Sequence, residues 1–159
     1  MSVLESREAV RTGLFIGGQE RFTDAVMEVA DPGKPRVVVG TASAASKEDV
    51  ADAVAAAKAA YPAWAALTGP ERAAAMAEAI AGIADDRDTD AAILSQENGK
   101  IRMEAWIDAL VFELRWNLAL MHAGEVDSGT VLDPAPGIPV STTVGYQPLG
   151  VVSIIVPFN

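Results

Sequence analysis

Gly150-Val151-Val152-Ser153-Ile154-Ile155-Val156-Pro157-Phe158-Asn159 is the stretch whose reading decides the fold. Valine and isoleucine fill Val151 to Val156 except for Ser153; a glycine opens the run and a proline closes it. β-Branched side chains suit a pleated backbone, and a short apolar run bounded by Gly and Pro predicts a strand buried on both faces. Such strands belong mostly to parallel sheets covered by helices on both sides, so the expected fold class is α/β. Ligands of open α/β sheets lie beyond the carboxyl ends of the strands, which puts Pro157-Phe158-Asn159 where a site would begin. Asparagine offers an amide donor suited to a developing oxyanion. Taken alone, these residues are more simply read as a strand-to-helix turn, where Pro and Asn are common.

Composition narrows the function classes. The chain has 159 residues, half of them hydrophobic, enough for one globular domain with a sizeable core. There is no cysteine, which excludes disulfides, thiolate metal sites and a cysteine nucleophile within these residues. Twelve basic and 22 acidic residues give a formal net charge of −10. A phosphate-backbone binder wants a concentrated positive surface, so neither nucleic acid nor an anionic membrane is expected as a partner. Residues 1–12 carry Glu5, Arg7, Glu8 and Arg11 and no apolar signal core, and no run is long enough to span a bilayer. A soluble, cytoplasmic protein is the expectation.

Outward from the closing run, Val140 to Tyr146 alternates and is rich in Thr and Val, which predicts a half-exposed strand after a loop over 125–139. Its open edges call for a partner elsewhere in the protein or in another subunit. Upstream, Ile107, Leu110, Val111, Leu114, Leu118 and Met121 step by three or four, predicting an amphipathic helix from about Arg102 to His122, closed by Gly124. Asn98-Gly99 predicts a left-handed helix stop. Thr68-Gly69-Pro70-Glu71 has the pattern of a capping box. Ser46 predicts the start of a helix that Pro62 should break or kink after Tyr61. Before it, Leu14–Ile16, Ala25–Ala30 and Val37–Val39 predict a small antiparallel meander with Gly and Pro turns.

Other candidate chemistry is thin. His122 falls at a helix end without visible partners, and Asp85 to Asp90 lacks the alternating ligands of a calcium loop. Neither GxGxxG nor GxxxxGK[ST] occurs. Trp106 and Trp116 sit on a helix, where aromatics serve packing more often than ligands.

The order of several weak blocks is more specific than any one of them. Leu14-Phe15-Ile16-Gly17-Gly18, the Asp31-Pro32 turn before Val37-Val38-Val39-Gly40, and Ser46-Lys47-Glu48-Asp49-Val50 are followed by Tyr61-Pro62-Ala63-Trp64 and Glu71-Arg72-Ala73. Glu97-Asn98-Gly99-Lys100 and Gln147-Pro148-Leu149-Gly150 then lead into Pro157-Phe158-Asn159. In this order the chain resembles the amino-terminal part of the NAD(P)-dependent aldehyde dehydrogenase superfamily, from Leu14 to the last residue. Phe158 stands where many members have tryptophan, and Ile101 where proline is usual.

The resemblance implies an incomplete fold: small antiparallel strands and helices in residues 1–128, an oligomerisation arm in residues 129–147, and the first strand of a Rossmann-like parallel sheet in residues 148–159. It implies NAD or NADP as cofactor, with Ile155, Val156, Pro157 and Phe158 beside the dinucleotide. Asn159 matches the family's oxyanion-holding asparagine. The implied reaction starts when a cysteine thiolate attacks an aldehyde, and ends when a glutamate-activated water releases the acid. That cysteine, the glutamate and the glycine-containing cofactor motif are expected downstream, so the chain alone should be inactive. An inert structural or regulatory subunit pairing with a full-length relative, or an inert product, are the alternatives.

Overall fold

A computed structural model describes residues 9–132, 136–137 and 140–156, with the backbone alone at 83, 84 and 128. It contains seven short strands and five α-helices among those residues. The chain divides into two compact units, residues 1–56 with 82–114 and residues 57–81 with 115–159.

The first unit is built on a three-stranded sheet. Strands β1 (Val10–Thr12), β4 (Val26–Asp31) and β5 (Lys34–Ser43) lie in the order β1-β5-β4. The β4–β5 hairpin is antiparallel, and its turn is held by the Asp31 carboxylate, which accepts from the Gly33 N–H at 2.8 Å and the Lys34 N–H at 3.2 Å. Such an Asx turn is why Asp before Pro-Gly reverses the chain. β1 runs parallel to β5, and Gly40 lets the backbones close in, since a Cβ there would lie 3.0 Å from the Val10 carbonyl oxygen.

Strands β2 (Leu14–Ile16) and β3 (Gln19–Arg21) form a separate antiparallel hairpin. Gly17 and Gly18 connect them with φ of 60° and 80°, the backbone of a two-residue hairpin turn that glycine adopts without steric cost. The expected single meander is therefore corrected to a hairpin plus a mixed sheet. β1 and β3 escape a periodicity reading because Val-Arg-Thr and Gln-Glu-Arg are too short and too polar to signal strands; pairing, not composition, makes them so.

Helix α3 (Arg87–Asn98) packs on β4 and β5. Its Ala91 and Ala92 are buried, as are Ile16, Ser43 and Ala105. Small side chains on the helix allow close approach to the sheet. The Ser43 hydroxyl is satisfied by the Thr23 N–H at 3.2 Å. Through the acidic stretch a 3-10 turn, Ile83–Asp86, leads into α3. At the other end Gly99 takes φ 79° and its N–H donates to the Ser95 carbonyl.

Local capping signals were legible. Helix α1 (Lys47–Ala66) starts where Ser46 Oγ accepts the Asp49 N–H at 3.1 Å and Asp49 accepts the Ser46 N–H at 2.9 Å. Helix α2 (Gly69–Ala79), in the second unit, opens with the reciprocal bonds between Thr68 and Glu71. Pro62 does not stop α1, which continues to Ala66. The loss is one rung of the ladder, the bond Lys58 would accept.

These caps make a pH prediction. The Glu71 carboxyl is held below its ordinary value, first by the Thr68 backbone N–H and then by the Thr68 hydroxyl; Asp49 is held low in the same way by Ser46. A folded-state pKa below the unfolded one adds stability above the unfolded value, and that stability fades as pH falls through the folded value. Far-UV circular dichroism should therefore show α2 weakening as pH drops below the ordinary carboxylate range. Glu71→Gln keeps the acceptor but removes the titration, and should flatten that part of the curve. An unchanged acid profile in Glu71→Gln would mean other carboxylates set it.

Helix α4 (Arg102–Met121) confirms the expected span, but its apolar stripe is covered only in part, with Leu110 and Val111 half-buried. Ala105 is its one buried residue, while Leu114, Leu118 and Met121 are exposed, Met121 to 78%. A stripe is buried only where an element faces it, and within its unit α3 alone faces the first half of α4. Gly124 does not close α4 but precedes a short helix, α5 (Glu125–Ser128), inside the expected loop. Strands β6 (Thr130–Leu132) and β7 (Thr142–Val144) then pair antiparallel, Thr130 opposite Val144.

The closing run corrects the central expectation. Val151 to Val156 forms no strand and is exposed. A buried parallel strand needs neighbours on its edges and helices over its faces, and the described residues provide neither. Pro157, Phe158 and Asn159 lie outside the described residues.

Candidate functional site

The approach to the closing run is fixed in the second unit by a cluster around Asp127. Its carboxylate accepts from the Gly69 N–H at the start of α2 and pairs with Arg72 at 3.3 Å. Negative charge at a helix start meets the positive end of the helix dipole. Arg72 also donates to the Leu67 carbonyl, so one guanidinium ties the turn before α2 to α5. Contact between α2 and α5 follows from these bonds.

Against this cluster lies a cavity of about 370 Å³ lined by Trp64, Leu67, Arg72, Val126, Tyr146 and Pro148. The Tyr61 hydroxyl donates to the Pro148 carbonyl at 3.3 Å, holding Gln147-Pro148 to the end of α1. Gly150 then turns with φ 92°. Two residues of the expected site follow among those described: Ile155 is 94% exposed and Val156 is 76% exposed. The structure does not bring either onto the Asp127 cluster. Asn159, Pro157 and Phe158 cannot be placed on it, since they lie outside the described residues.

The first unit has its own groove of about 420 Å³ between α3 and α4, floored by Ile93, Leu94, Ala109 and Phe112, with Asp90 and Glu97 among its lining. Asp108 there is paired with Lys100. Arg87 binds Glu113 and lies 5.2 Å from the Trp106 ring, which stays 37% exposed. His122 Nδ1 is 3.0 Å from the Glu125 carboxylate, a local pair at the end of α4. No group of three or more His, Asp or Glu residues that could hold a metal occurs among the described residues. Nor is any helix among them long and apolar enough to cross a membrane. The Asp127–Arg72–Gly69 cluster had no sequence signal: Asp127 lies 55 positions from Arg72 and 58 from Gly69, and nothing local marks it as a cap.

Comparison with known proteins gives this arrangement its class. The pattern of the aldehyde dehydrogenase family matches residues 19–159. The chain belongs to that family. It is 31% identical over 140 residues to the α-ketoglutarate semialdehyde dehydrogenase of Haloferax volcanii, covering 86% of this chain and 28% of that protein. It is 32% identical over 152 residues to the 1-pyrroline-5-carboxylate dehydrogenase of Bacillus pumilus, covering 92% of this chain and 28% of that protein. The crystal structure of an NAD-dependent aldehyde dehydrogenase from Sinorhizobium meliloti matches with a TM-score of 0.71 at 28% identity, covering 79% of this chain and 26% of that chain. The chain thus spans about 28% of the length of the curated relatives it matches. The fold is a mixed α/β one corresponding to part of the aldehyde dehydrogenase fold.

Proposed function

We propose that this chain is the amino-terminal part of an enzyme that oxidises an aldehyde to a carboxylic acid with NAD or NADP. The family match over residues 19–159 carries the reading. In it, residues 1–128 contribute to the cofactor-binding domain, residues 129–147 form an oligomerisation arm, and residues 148–159, unpaired among the described residues, supply the first strand of the dinucleotide sheet once a longer chain gives them a neighbouring strand. The exposed β6–β7 hairpin supports the arm: among the described residues its strands are open on both outer edges, rich in Thr and Val, and without charge.

The dinucleotide fits only in part. Ile155 and Val156 are exposed apolar side chains that suit the wall of a crevice, and Pro157 and Phe158 follow them in the sequence. The sequence has no glycine-rich phosphate loop, so this chain would hold one side of the cofactor. When bound, the nicotinamide accepts a hydride. Asn159 would donate its amide N–H to the oxyanion formed when a thiolate attacks the aldehyde. The thiolate itself must come from elsewhere, because the chain has no cysteine.

The purified 159-residue chain is therefore expected to form no NADH or NADPH with any aldehyde. Turnover that survives removal of host dehydrogenases would refute the division of labour. Reading the coding frame past Asn159 is expected to give a helix and, later, a cysteine. A stop codon directly after Asn159 would favour the inert partner subunit instead.

A further inference from the structure

Asn98-Gly99 is the one Asn-Gly pair in the sequence. Glycine has no side chain to hinder its backbone nitrogen, so in a flexible chain that nitrogen can attack the preceding asparagine carboxamide. A bond forms between Gly99 N and Asn98 Cγ, the Cγ–Nδ2 bond breaks, and ammonia leaves. Water then opens the succinimide ring to aspartate or to isoaspartate, which lengthens the backbone by one carbon. No oxidant, metal or enzyme is needed.

The fold holds each participant away from this path. Gly99 N–H donates to the Ser95 carbonyl at 3.0 Å, and Gly99 is fixed at φ 79° as the stop of α3. Asn98 is the last residue of α3, and its side-chain oxygen accepts the Lys100 N–H at 2.9 Å. Asn98 Nδ2, the leaving group, is buried without a hydrogen-bond partner. Ser95 Oγ donates to the Lys100 carbonyl at 2.6 Å and closes the loop over the pair. To cyclise, the nitrogen must leave its cap and the carboxamide must swing away from Lys100 together.

We propose that Asn98 is a deamidation site held closed by the α3 C-cap, so that its conversion accumulates with the time that helix end spends open. The mark is permanent. A carboxylate at a helix C-terminus opposes the dipole, and isoaspartate cannot rebuild the same cap. A molecule that has opened long enough to react refolds with a weaker stop.

The test follows residues 88–100, the peptide trypsin releases between Arg87 and Lys100, by mass and fragment ions that separate Asn98 from Gln96. The intact chain is incubated in mildly alkaline buffer with and without concentrated urea. Wild-type protein is expected to deamidate at Asn98 at least about tenfold more slowly when folded. Ser95→Ala leaves the reacting pair intact and removes the closing bond, so its folded form should react about three- to tenfold faster than folded wild type. Equal wild-type rates with and without urea, or no reaction in urea, overturn the proposal. A folded Ser95→Ala protein as slow as wild type does so as well. If Ser95→Ala does not fold, its rate in buffer must match wild type in urea, and a slower one counts against the proposal equally.

Discussion

In the longer enzyme proposed above, Asn159→Ala is expected to slow the chemical step by about 10²–10³-fold, the usual effect of losing one oxyanion donor. Alanine leaves the thiolate attack possible but removes a dipole aimed at the charge that develops. The defect belongs in the turnover number rather than in aldehyde or dinucleotide binding, because the ground-state carbonyl needs the donor less than the tetrahedral intermediate does. Single-turnover hydride transfer measures it directly. An unchanged rate would remove Asn159 from the mechanism. The size of the effect also depends on how firmly Asn159 is held. Val151 to Val156 is unpaired and exposed among the described residues, so preorganisation of the donor requires a neighbouring strand along that run.

The second large effect is on stability. Gly69→Ala is expected to destabilise the second unit by about 2–4 kcal/mol. Gly69 is buried at the first position of α2, and a Cβ there would fall deep inside contact with the Ala123 carbonyl oxygen and lie 3.0 Å from Asp127 Oδ2. Backbone cannot rotate away as a side chain can, so α2 or the turn before α5 must shift. The shift also strains the Asp127 bond to the Gly69 N–H and the Arg72 pair that depends on the same carboxylate. Urea unfolding followed by circular dichroism would read the loss. A change below about 0.5 kcal/mol, the level of an ordinary surface substitution, would show that Ala123 does not sit against α2.

What the sequence disclosed here follows the range of each interaction. Ser46, Thr68 with Glu71, and Asn98-Gly99 mark helix ends correctly because a cap is made by residues three or four apart. The strands Val10–Thr12 and Gln19–Arg21 were missed because their partners, not their side chains, define them. Pro62 was over-read: one missing donor costs a rung, and neighbouring turns carry the helix past it. The closing run was over-read in the other direction. Its composition suits a buried strand, but burial is a property of what surrounds a segment, and Ile154 to Val156 face solvent here. The candidate site was legible only through resemblance. Pro157-Phe158-Asn159 has no local physical signature beyond a turn, and the Asp127 cluster joins residues far apart in the chain.

Pro62 has one more consequence. Helix formation spreads because each new residue adds a hydrogen bond to a ladder already standing, and it unwinds along the same ladder. With no N–H at Pro62, the carbonyl of Lys58 lacks its helical donor. The turn beyond it is tied back by the Leu67 N–H to the Trp64 carbonyl at 3.3 Å, while Tyr61, just before the gap, is tied to Pro148. Melting that begins at Ala66 thus meets a gap in the ladder before it reaches Lys47–Tyr61. One imino acid loosens the coupling between the last turn of a 20-residue helix and its beginning, and fraying at Ala66 is expected to stay local.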